Sequence, residues 1–234
     1  MSVKRFEAAP RTSLVSHVET QLRDALIEGR LEPGTRLVTK ELADSLGMSI
    51  TPVREALVRF AASGVLTAEP ASSFRVPYMT VERYEELLKI RKLVEGLAAE
   101  TAAARISDAE IGALENRLNA YLDAKRSRDS HLALKENKAF RFLVYSAADM
   151  PTLLEVIETL WLRAGPGFNY LYPEVEEEQN RAEHANYSRL IRALRDRDSA
   201  AARDAIEHAI DDGAAKVIAA LKARDEAAIS DKAS

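Results

Sequence analysis

The chain has 234 residues, 47% hydrophobic and 30% charged, with a net charge of −4 and no cysteine. That suits one or two ordinary globular domains and excludes disulfides, thiolate zinc sites and cysteine nucleophiles. No apolar run approaches the ~18 residues of a membrane span, and the N-terminal residues lack the apolar stretch of a signal peptide, so a cytoplasmic protein with no membrane partner is expected.

The first helical pattern begins near Thr12 or Ser13, either of which suits an N-cap, and carries Leu14, Val18, Leu22, Ala25 and Leu26 on one face. Glu28-Gly29-Arg30 ends it, and Leu31-Glu32-Pro33-Gly34 reads as a turn. A short helix follows over Lys40–Leu46, stopped by Gly47. After the Gly47-Met48-Ser49 corner, Thr51 is the expected N-cap of a third helix through Phe60, with Pro52 in its first turn. Val65-Leu66-Thr67 and Phe74-Arg75-Val76 flank Glu69–Ser73 as a hairpin.

Pro77-Tyr78-Met79-Thr80 divides a domain spanning 10–77 from one spanning 80–225. Beyond it nearly everything is helical in pattern, with breaks near Ile106, Arg128, Met150-Pro151, Gly165-Pro166-Gly167, Pro173 and Asp198. Ser107 and Glu110 have the form of a capping box, and the last helix is expected from about Ser199 to about Arg224. The fold class is mainly α: an N-terminal winged helix-turn-helix of three helices plus a small β-hairpin, then an antiparallel all-α bundle of about seven helices.

Two short helices at a glycine corner, followed by a hairpin, suit a rigid helix entering the DNA major groove by its leading end. Ser49, Thr51 and Arg54 lie at that end, Arg36 and Lys40 precede it, and Ser72 and Ser73 occupy the expected wing tip. The acidic total charge does not oppose this. Up to Met79 there are ten Lys/Arg against nine Asp/Glu, a balance of +1, and the remainder carries −5. Phosphate binding depends on local basic surface. The bland alternative makes Arg54 an ordinary exposed residue, or the partner of Glu55 in a surface salt bridge.

The ordered set Leu22–Gly29, Leu31–Leu37, Glu41-Leu42-Ala43, Leu46–Ser49 and Thr51–Leu57 resembles the GntR family of bacterial regulators. The resemblance implies a DNA-binding regulator that pairs with a second copy on a pseudo-palindromic operator. The family commonly has Arg where this chain has Ile50, and glycine at a wing tip that here reads Pro70-Ala71-Ser72-Ser73. Arg pairs with guanine, whereas Ile packs on a thymine methyl, so an altered base preference is expected.

Leu87–Ala99, Asn137–Arg141 and Leu190–Asp198 resemble the helical sensor domain of FadR-like members, known as FCD. Most such domains look like metal-dependent carboxylate sensors. At their metal-ligand positions this chain has Asn137, Arg141, Tyr187 and Ala209, so no metal cofactor is expected. His184 and His208 stand nearby but offset, which leaves a two-histidine site as the weaker alternative to ordinary histidines. Arg141 keeps positive charge where a metal would sit, and a guanidinium binds carboxylate directly. Arg91, Asn137, Arg141 and Tyr187 are therefore the candidate pocket for a small organic acid. Internal pairing of Arg141 with Glu95 or another carboxylate, leaving no ligand, is the competing reading. Trp161, Phe168, Tyr170 and Tyr172 suit core packing or, alternatively, a ligand wall, and Glu174–Glu178 suits a solvated helix start.

An enzyme is the first rival, but the chain lacks Gly-x-Ser-x-Gly, His-Glu-x-x-His and a phosphate-binding glycine loop, and its four histidines show no ligand spacing. The second rival is an effector-independent regulator whose helical domain only dimerises.

Overall fold

The computed structural model describes residues 11–171 and 180–232. Helix α1 (Arg11–Ile27) buries Val15, Val18, Leu22 and Leu26 along one stripe against α3 (Ile50–Ala62), which answers with Val53, Ala56, Leu57 and Phe60. Each large aliphatic side chain buried this way stabilises by roughly 1.5–3 kcal/mol. Thr12 and Ser13 fall inside α1, which already runs from Arg11. Between these helices lies α2 (Thr39–Ser45), closed by Gly47 at φ 62, with the Met48 amide bonded to the Ala43 carbonyl. The N-cap of α3 is Ser49, ahead of the expected Thr51. Thr51 and Pro52 thus occupy the first turn, where amides have no helical partner and proline loses nothing.

The wing is a three-stranded antiparallel sheet ordered β1-β3-β2, made of β1 (Arg36–Val38), β2 (Thr67–Glu69) and β3 (Ser73–Arg75). Strand β1 is an addition to the expected hairpin. Its register sets Leu37 opposite Phe74, both buried.

Six helices of the second domain are described, against the seven or so expected: α4 (Val81–Ala103), α5 (Asp108–Arg126), α6 (Ser130–Ala147), α7 (Pro151–Phe168), α8 (Asn180–Arg195) and α9 (Ser199–Lys232). The Ser107–Glu110 capping box is present at the start of α5. Helix α4 is the hub, packing on α6, α7, α8 and α9. It packs most extensively on α9, and both helices bury alanines, Ala98, Ala99, Ala102 and Ala103 on α4 and Ala202, Ala205 and Ala209 on α9. Side chains this small let the two axes approach closely. Helix α9 continues eight residues past the expected end.

The expected break at Gly165-Pro166-Gly167 is not there: α7 runs through to Phe168 with Pro166 inside its last turn. These small residues make room instead. A Cβ on Gly165 would lie 3.2 Å from the Leu26 carbonyl oxygen of α1. Gly29, at φ 71 after α1, would bring a Cβ within 3.0 Å of Asn169 Oδ1 and 3.1 Å of Leu134 Cδ1. Here the two domains touch at backbone distance.

Polar links run along the same seam. Arg23 meets Glu158 at 2.8 Å, and Lys138 meets Asp24 at 2.7 Å. Arg163 donates to the Ser63 carbonyl at 2.9 Å, just beyond α3, and His131 Nδ1 lies 2.8 Å from the Glu28 carbonyl. Helices α6 and α7 therefore hold both the first helix of the reading head and the turn after its third. Among the described residues no helix is long and apolar enough to cross a membrane.

Candidate DNA interface and effector cavity

At the leading end of α3, Ser49, Ile50, Thr51 and Arg54 are all exposed, as is Lys40 on α2. Half of Ile50's surface faces solvent. Arg54 does not pair with Glu55. That carboxylate takes Arg59 at 2.6 Å, and Arg59 also meets Glu19 at 3.2 Å. Arg54 and Lys40 form no ion pair among the described residues, so both are free to meet phosphate.

The wing corrects part of the expected surface. Ser73 is not at the tip: it is buried in β3, donates to the Pro70 carbonyl at 2.9 Å and accepts from Arg36 at 3.1 Å. The tip is Ala71-Ser72, both at positive φ, with Ser72 exposed. Arg36 is half exposed and shared with Glu69 at 3.7 Å. Sequence reasoning passed over Arg75, which clamps Glu69 at 2.5 Å and the Gly34 carbonyl at 2.7 Å, fixing the wing to the loop before β1.

In the helical domain, Arg91 and Glu95 stand one turn apart on α4, while Asn137, Arg141 and Tyr145 stand at successive four-residue steps on α6. All five are buried, and Tyr187 of α8 joins them. Arg91 Nε lies 2.6 Å from Glu95 Oε1, and Arg141 Nη1 lies 3.6 Å from Glu95 Oε2. The Tyr145 hydroxyl donates to the same carboxylate. Arg141 Nε donates to the Tyr187 hydroxyl at 3.1 Å, which in turn donates to Asn137 Oδ1 at 2.6 Å. The four expected residues thus meet in one place, and the competing pairing of Arg141 with Glu95 is real as well.

Of these groups Arg91, Asn137 and Arg141 border a cavity of about 20 Å³, lined also by Tyr84, Trp161 and Phe168, with Ala209, Ile210 and Gly213 of α9 closing it. Tyr187 is not among its walls; it braces Asn137 and Arg141 from behind. The Arg91 guanidinium lies 5.1 Å from the Trp161 ring centroid and 5.4 Å from that of Phe168, a cation–π contact with both rings.

Burial opposes the charge of Arg91, but Glu95 and Tyr84 together outweigh it and the pKa lies above the ordinary guanidinium value. For Arg141 burial is likewise outweighed, by Tyr187, Tyr145 and Glu95 together. Burial pushes the Tyr84 phenol up to about 12, and burial followed by Glu95 raises Tyr145. Both phenols are therefore neutral near neutral pH, and Tyr145 is a donor.

Sequence reasoning named Glu95 only as an alternative partner, and missed Tyr145 and Tyr84. The signal was the four-residue spacing of Glu95 from Arg91 and of Tyr145 from Arg141. His208 is exposed and bonds its own helix at the Asp204 carbonyl, 2.8 Å away, so it does not face the cavity. The His184 side chain, Tyr172, Pro173 and the acidic run Glu174–Glu178 lie outside what is described. No cluster of three or more His, Asp or Glu able to hold a metal occurs among the described residues.

Comparison with known proteins matches two family models to the chain. The model for bacterial regulatory proteins of the gntR family matches residues 14–76, and the FCD domain model matches residues 86–212. The HTH-type transcriptional regulator McbR of Escherichia coli K12 is 38% identical over 191 residues, covering 82% of this chain and 86% of McbR. The solved structure of E. coli McbR/YncC superposes with a TM-score of 0.83 at 35% identity, covering 87% of this chain and 96% of that one. The HTH-type transcriptional repressor RspR of the same organism is 28% identical over 141 residues, 59% of this chain and 61% of RspR. The chain belongs to the GntR family, as a DNA-binding transcriptional regulator with a winged helix-turn-helix reading head and an FCD domain, and it is not an enzyme.

Proposed function

We propose that this regulator is a dimeric repressor acting in the cytoplasm, released from its operator when a small organic anion enters the cavity between α4, α6, α7 and α9, without a metal. The observation that carries the effector is the pair of buried guanidinium groups, Arg91 and Arg141, on one cavity. Burying charge is costly, and a hydrophobic bundle would be simpler to build without them. The name of RspR, a repressor, supports the sign of the response.

Transmission follows from geometry. The cavity holds little more than a water-sized group, so a ligand must widen it by displacing its walls. Two walls, α6 and α7, carry Lys138, Arg163 and Gly165 of the domain seam. A ligand that prefers the widened state biases the position of the reading head, and DNA in turn opposes ligand.

A single head reads few base pairs, so a second copy is needed for a selective site. The outer face of α4 is our candidate for its seat, supported by Ile90, Leu93 and Leu97, which are 40%, 62% and 40% exposed at helical spacing. The test is fluorescence anisotropy on a duplex selected from random sequence by the purified protein, repeated across a library of organic acids. At least one acid should weaken DNA binding by about tenfold or more, which corresponds to ~1.4 kcal/mol of coupling. Uniform insensitivity would return the protein to an effector-independent regulator.

A further inference from the structure

We infer that the cavity selects a small anion of single charge, because among the described residues the guanidinium groups of Arg91 and Arg141 share one carboxylate, Glu95, and leave one positive charge unbalanced. This rests on the effector reading above and narrows it.

The charge count is made of the described residues. Arg91 and Arg141 are each 4% exposed and Glu95 is fully enclosed. Glu95 is the carboxylate that both meet, at 2.6 Å and 3.6 Å, and neither arginine forms another ion pair. Glu136, next to Asn137 in sequence, pairs with Arg117 of α5 at 3.0 Å. The three phenols nearby act as neutral hydroxyls: Tyr145 donates to Glu95 and Tyr187 to Asn137, and Tyr84 is deeply buried. The α7 and α9 sides of the cavity are Trp161, Phe168, Ala209, Ile210 and Gly213, which carry no charge. Two positive charges against one negative leave +1.

A second observation points to an acceptor. Trp161 lines the cavity, is 2% exposed, and its indole Nε1 has no hydrogen-bond partner among the described residues. That N–H can only donate, and a buried donor left unpaired is rare in folded proteins. An anion oxygen beside Arg91, which already stacks on the same ring at 5.1 Å, would satisfy both groups together.

Single charge follows from the cost of over-compensation. A monoanion brings the enclosed cluster to neutrality. A dianion replaces an excess of one positive charge with an excess of one negative and loses more hydration on entry. Glu95 is thus the residue that sets the count, holding a two-arginine site to a net demand of one. The small volume and the aromatic and aliphatic walls suit a compact carboxylate with a short or flat apolar body.

The experiment is calorimetry and thermal shift on the full-length protein near neutral pH and fixed ionic strength, with formate and acetate set against oxalate and malonate. Wild type should bind a monocarboxylate about tenfold or more tighter than either dicarboxylate. Glu95→Gln raises the demand to two charges and should reverse that order. Arg141→Met lowers it to zero and should abolish binding of both classes. Trp161→Phe keeps the ring but removes the N–H, and should weaken the monoanion severalfold without changing the order. Should Glu95→Gln be less stable, its anion-induced rise in melting temperature gives the same ranking. Tighter dicarboxylate binding by wild type, or an unchanged order in Glu95→Gln, overturns the charge count and leaves the effector reading standing. If wild type binds neither class, both fall.

Discussion

The shared carboxylate makes an uneven prediction about stability. Removing one member of an ordinary buried ion pair costs about 3–5 kcal/mol, since the other charge is left buried alone. In this cluster the outcome depends on which member goes. Glu95→Gln leaves Arg91 and Arg141 both charged and enclosed, and takes the carboxylate acceptor from Tyr145. The full penalty of about 3–5 kcal/mol should appear. Arg141→Met leaves the close Arg91–Glu95 pair intact and neutral. The two phenols that accept from Arg141 keep their own acceptors, Asn137 for Tyr187 and Glu95 for Tyr145, so no donor is stranded. The loss should be near 1 kcal/mol, with relief from burying a second guanidinium set against it. For a protein of this size 1 kcal/mol moves the melting temperature by roughly 2–4 °C. Glu95→Gln should therefore melt about 10 °C below wild type, and Arg141→Met within about 4 °C of it. The assay is thermal unfolding followed by circular dichroism at one protein concentration in a low-anion buffer. Equal destabilisation by the two substitutions would refute the reasoning.

Arg54→Ala should weaken binding to all duplexes to a similar degree and reduce the slope of log affinity against log salt by about one, as expected for a lost phosphate contact. Ile50→Arg should shift the sequences selected from a random library toward guanine at one position per half-site; unchanged preference would remove Ile50 from the reading surface. Leu93→Glu should convert dimer to monomer in sedimentation equilibrium while leaving the helical spectrum intact, because Leu93 is 62% exposed in the single chain. Gly165→Val should disturb the domain seam, since even its Cβ would lie 3.2 Å from the Leu26 carbonyl oxygen; overpacking of this kind costs about 1–3 kcal/mol, and proteolysis between the domains should accelerate.

The reading head was legible because its information is local. Gly47 at positive φ and the helix faces of Val18, Leu22, Val53 and Leu57 are written within a few residues of where they act, as is the Ser107–Glu110 cap in the second domain. What the sequence hid depends on distant neighbours. Gly165-Pro166-Gly167 has the composition of a break, yet Pro166 sits in a last turn and Gly165 is small because α1 presses on it. Ser73 was assigned to the tip because side-chain alternation fixes a face only once the register is known, and pairing with β1 turned it inward. In the cavity, helical spacing put Asn137 and Arg141 together but could not say that Tyr187 would stand behind them. Nor could it say that Glu95 would be divided between two arginines on separate helices.

We propose that occupancy of this cavity governs the grip on DNA. The most direct test is a titration of the selected duplex with wild type and with Arg141→Met, each with and without the carboxylate that calorimetry ranks tightest. The anion should weaken DNA binding by wild type about tenfold and leave the variant's affinity unchanged. Identical curves with and without the anion for wild type, although it binds, would contradict the account.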